Sequence, residues 1–172
     1  MPPGTPAPTP IGTALDFGAS AVLPADPYRA TGPTAMYTVT GITRAEGVPE
    51  DETQGGTPYF VYVTVTSLAP NPAPAPRMLG FAGSADGKAA VLTTPPRTPT
   101  AACPRLAPPM TMRRGESFSA CLVAMADPGQ RLHRVVYSTD TTGDDNLDYA
   151  SAPVVWRNPN ESAAPSSSAS AG

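Results

Sequence analysis

An all-β sandwich is the fold class this sequence predicts, on three observations. Short runs of β-forming residues recur along the chain between clusters of turn residues. Proline and glycine, 24 and 15 of the 172 residues, interrupt every window long enough for a helix. The run Tyr59-Phe60-Val61-Tyr62-Val63-Thr64-Val65-Thr66 alternates, placing Val61, Val63 and Val65 on one face and Phe60, Tyr62, Thr64 and Thr66 on the other. The valine face is the predicted core face.

Along the chain, residues 1–10 alternate proline with small residues, which favours an extended polyproline conformation and buries nothing, so they are read as a disordered spacer. Strands are predicted over 11–17, 35–43, 58–68, 78–82, 88–93, 116–125, 131–138 and 152–157. Gln54-Gly55-Gly56-Thr57 breaks the chain before the central strand, and the prolines between Ala69 and Pro76 break it after, because they supply no ladder donors. Ala85-Asp86-Gly87 and Asp127-Pro128-Gly129 are turn signals suited to hairpins. The tail, 159–172, is rich in serine and alanine and is expected to be disordered. One β-sandwich domain over 11–158, of roughly 140 residues, is within the usual size for a single core.

Four features taken in order carry a family resemblance: the strand Phe60 to Thr66, the turn Ser84-Ala85-Asp86-Gly87-Lys88, the step Arg114-Gly115-Glu116-Ser117 into a Cys/Leu/Val strand, and the ending Pro153-Val154-Val155-Trp156. Over residues 34–156 the chain resembles the immunoglobulin-like extracytoplasmic domains of actinobacterial lipoproteins and secreted proteins. That group is similar in fold to the mycobacterial secreted immunoglobulin-like antigen. The resemblance implies an immunoglobulin-like antiparallel sandwich of about seven to eight strands, export from the cell, and no enzymatic activity, and it carries over no catalytic residues. The chain departs from the pattern in the proline-rich segment after the central strand and in an insertion over 93–109. A bias to arginine, with Lys88 the single lysine, fits the GC-rich coding of such organisms.

Composition narrows the function classes. Only 15% of residues are charged and the net charge is -3, so no basic stripe exists to meet a phosphate backbone, and nucleic acid is not an expected partner. No run reaches the roughly 18 apolar residues that span a bilayer. The start lacks the charged-then-apolar pattern of a signal peptide. Two readings fit: a cytosolic protein, or the mature part of an exported one whose signal or lipid anchor has been removed. The paired cysteines and proline-rich opening favour an extracytoplasmic location, in the cell envelope or secreted.

Cys103 and Cys121 are the only cysteines, and a bond between them would close a loop short enough to staple residues 104–114 to the sandwich. Two free thiols or a redox couple are the alternatives. His133 is the single histidine, so histidine-dependent catalysis would have to use it, although no Gly-x-Ser-x-Gly elbow accompanies it. Asp140, Asp144, Asp145 and Asp148 gather oxygen ligands of the kind calcium prefers, without the spacing of a helix-loop-helix site; a solvated surface loop is the simpler reading. Tyr37, Phe60 and Tyr62 fall in the two most regular strand patterns and are the candidate interaction face. The expectation is a non-enzymatic binding module for a protein or small envelope ligand, monomeric or weakly oligomeric and without a cofactor. The alternatives are a hydrolase using carboxylates or His133, and a structural assembly subunit.

Overall fold

The structure is a computed structural model that describes residues 4–29, 31–139 and 144–160. Its strands are β1 (Ala14–Asp16), β2 (Ser20–Pro24), β3 (Thr34–Arg44), β4 (Thr57–Ser67), β5 (Ala73–Pro74), β6 (Phe81–Ser84), β7 (Val91–Thr94), β8 (Thr111–Met112), β9 (Ser117–Ala126), β10 (Arg134–Tyr137) and β11 (Val154–Arg157). A single helical turn, α1 (Glu50–Thr53), and a 3-10 turn at Asp145–Leu147 are the helical elements among the described residues.

Nine strands form one ladder in the order β1-β11-β10-β6-β7-β9-β4-β3-β2, and this ladder folds over to make two layers. The fold-over is at β7. Its first half, Val91 and Leu92, pairs with Gly83 and Ala82 of β6, while Thr93 and Thr94 pair with Ala124 and Val123 of β9. A corner this tight needs a small residue inside it. A Cβ on Gly83 would meet Leu132 Cδ1 at 2.7 Å and Ala124 Cβ at 3.3 Å, so glycine there lets the layers close.

Each of the eight predicted runs overlaps an observed strand, and the all-β sandwich stands. Three strands were not anticipated: β2, whose terminal Pro24 masks the alternation of buried Ala21 and Leu23, and the two-residue pair β5 and β8. The ladder is also not wholly antiparallel, because β1 lies parallel to β11, with Leu15 opposite Trp156.

The core follows period-two alternation. Val61, Val63 and Val65 of β4 are buried, as their face predicts, and so are Tyr37 and Val39 on β3. Facing them from the other layer are Phe81, Val135, Tyr137 and Trp156, all buried. Each such side chain contributes about 1.5–3 kcal/mol when fully buried. The polar ends of the large rings find partners: Trp156 Nε1 donates to Ala19 O at 2.9 Å, and Tyr37 Oη donates to Arg77 O at 2.9 Å.

The reading of 1–10 as a disordered spacer is corrected from Gly4 onward. Thr9 N donates to Val22 O at 2.8 Å, Val22 N donates to Thr9 Oγ1 at 2.8 Å, and Tyr149 Oη donates to Thr9 O at 2.7 Å. Proline removes donors, yet the one non-proline residue placed opposite β2 is enough to seat this segment along its open edge. Residues 1–3 and 161–172 lie outside the described residues, and with them most of the tail expected at 159–172.

Candidate functional site

The outer face of β4 and β9 carries the disulfide. Cys103 and Cys121 are bonded, with Cα atoms 5.3 Å apart. Cys121 lies opposite Tyr62 of β4, and Phe60, Cys103 and Cys121 form a small buried cluster against Ala45, Val48, Tyr62 and Val123. Tyr62 Oη donates to Ala102 O at 3.1 Å, a second tie from the sheet to the same loop. This cluster is separate from the main core, so the bond staples an irregular segment onto the outside of a sheet, as its short sequence separation suggested.

The three residues proposed as an interaction face do not share one. Tyr37 points into the sandwich, fully buried, its ring 5.2 Å from that of Phe81. The reason is register: Tyr37 pairs with Val65, so both occupy the core face. Phe60 and Tyr62 are on the outer face, but Phe60 clusters there with the disulfide, against Ala45 and Val48, and is only 3% exposed. Its alternation with Val39 could have placed Tyr37 inside from sequence alone.

A different surface is open beside β9. β4 pairs with this strand along its whole length, from Ser117 to Ala126, but on the other side β7 reaches only Val123 and Ala124. The edge from Phe118 to Cys121 therefore has no strand partner. Phe118 and Ala120 face inward, opposite Val65 and Val63, yet both are half-exposed where those valines are buried, because the layer ends at this edge. Beside them runs a groove of about 410 Å³, lined by Met78, Leu79, Leu106, Phe118, Ala120 and Leu122 together with prolines 76, 95, 96 and 108, and with Arg77 and Arg105 also on its walls. Leu79 and Leu106 are 42% and 59% exposed. The flanking prolines have no N–H with which to complete the ladder.

His133 lies elsewhere, in a cleft of about 700 Å³ at one end of the sandwich. The cleft is lined by Arg44 at the end of β3, Tyr59 of β4, Gln130 and Arg131 from the turn after β9, Phe17, Ile42, Leu132 and Asn158. Among the described residues that line it there is no aspartate or glutamate.

The acidic loop spends its carboxylates locally. Asp144 Oδ1 accepts from Asn146 N at 2.9 Å, capping the 3-10 turn, and Asp148 Oδ1 accepts from Ser151 N at 3.2 Å. Asp145 is the first residue of that turn. Asp140 lies outside the described residues. Among the described residues, no three His, Cys, Asp or Glu side chains are grouped so as to hold a metal.

No family model matches the chain. Nor does any curated protein. Among solved structures, it is similar to MPT63, a secreted protein from Mycobacterium tuberculosis, at 10% identity and a TM-score of 0.50, over 89% of this chain and 99% of that one. At this identity the likeness is one of fold, and it bears out the two-sheet sandwich expected from the resemblance, without extending to a lipoprotein family.

Proposed function

We propose that this protein is an exported, non-enzymatic binding module that engages a polypeptide through the open edge of β9 and the apolar groove beside it. One observation carries the reading: an unpaired strand edge, Phe118 to Cys121, is flanked by an apolar groove and by prolines unable to pair with it. An extended segment of a partner would add to the β9 ladder with its backbone and place alternate side chains over Phe118, Ala120 and Leu106. The disulfide supports an address outside the cytosol, where such bonds persist. A secreted protein of the same fold is consistent with that address. Membrane tethering through a removed N-terminal anchor belongs to the same proposal.

The test is retention of envelope proteins from the native host on the oxidised domain. The Leu106→Ser and Leu79→Ser variants are expected to lose a partner that the wild type retains. Equal retention by wild type and both variants would move the binding surface away from β9.

A further inference from the structure

Independently of the groove, we propose that the cleft at the other end of the sandwich binds a monomeric amphipathic organic anion, an acidic headgroup joined to an apolar body. Its apolar surface is supplied by Phe17 and Ile42, half-buried and packed against the core, over buried Leu132 and Tyr59. Its rim is cationic. Arg44 and Arg131 are both exposed, and the ion pair of Arg77 with Asp26 involves neither.

In a chain whose net charge is -3, a concavity lined by two guanidinium groups and, among the described residues, by no carboxylate runs against the overall composition. Two planar guanidinium groups suit a carboxylate or phosphate, which each can meet with paired N–H donors. The half-buried Phe17 and Ile42 make a bare inorganic ion a poor occupant, because an ion alone would leave their apolar surface uncovered. The inner wall is firmly held: Leu132 is seated against Gly83, and Tyr59 Oη donates to Gln130 O at 3.4 Å. That wall therefore needs little reorganisation on binding.

Anilinonaphthalene sulfonate, itself an amphipathic anion, is the probe, titrated into the full chain by fluorescence. Saturable binding is expected, displaced by octanoate but not by octanol at equal concentration. The double variant Arg44→Ala, Arg131→Ala should weaken it about tenfold, since each charged hydrogen-bonding partner is removed. A double lysine variant keeps the charge and is expected to retain most of the affinity, which separates lost recognition from lost folding. Equal displacement by octanol, or loss of affinity in Leu106→Ser with none in the arginine variant, would overturn the assignment; so would the absence of saturable binding.

Discussion

Tyr37 of β3 and Phe81 of β6 stand ring to ring across the interior, their centroids 5.2 Å apart and their planes tilted by 46°. Phe81 in turn meets Tyr137 at 5.3 Å and Trp156 at 6.0 Å, so one aromatic chain crosses from one layer into the other.

Removing the Tyr37 ring should therefore cost far more than removing its hydroxyl. Tyr37→Ala is expected to destabilise by about 3–5 kcal/mol, through lost burial and a cavity. Tyr37→Phe leaves the Arg77 carbonyl without its donor and should cost about 1 kcal/mol. Urea unfolding of the two variants measures both, and similar losses would mean the rings are not what joins the layers.

Breaking the disulfide should loosen the outer loop and spare the sandwich. Cys103 and Cys121 are 18 residues apart, and chain entropy for a loop of that size predicts about 3 kcal/mol. Because the outer cluster is separate from the main core, a Cys103→Ser, Cys121→Ser variant is expected to keep its β-rich circular dichroism. Protease cleavage within residues 95–110 should become faster. Thiol labelling of the unfolded, unreduced wild type should find no reactive cysteine.

Alkaline pH should unfold the protein through its buried phenols. Burial raises Tyr37 and Tyr137 above the ordinary phenol value, and raises Tyr149 to about 12, with Tyr137 and Asp144 adding to the effect. A folded value above the unfolded one means their stabilisation is complete below about pH 10 and is lost as pH rises through the folded values. Ultraviolet titration should show Tyr37, Tyr137 and Tyr149 ionising above the ordinary phenol range. Their ionisation within that range in the native protein would contradict the burial.

The acid limb should depend on Asp86. Hydrogen bonds from Lys88 N and Ala89 N, each at 2.8 Å, hold its carboxyl below the ordinary carboxylate value, with Ser84 Oγ as a weaker donor. Its contribution is present above the unfolded value and disappears as pH falls through the lowered one. Asp86→Ala should lower the melting temperature at neutral pH and flatten the acid side of the stability profile. An unchanged acid profile would show that this turn does not contribute.

Sequence alone determined what depends on neighbouring residues. Proline and glycine excluded long helices, strict alternation placed Val61, Val63 and Val65 in the core, and Asp86-Gly87 marked a tight turn, all because these preferences act over a few residues. The two cysteines, alone in the chain, allowed one bond between them and no other. Tertiary structure decided whatever rests on pairing between distant segments. The seating of Thr9 against β2, the parallel β1 beside β11, and the division of β7 between two layers are contacts whose geometry no local pattern encodes. Both candidate sites are of this kind. The β9 edge is open because β7 stops at Val123, and Arg44 meets Arg131 in one cleft because a strand end and a distant turn close the same end of the sandwich.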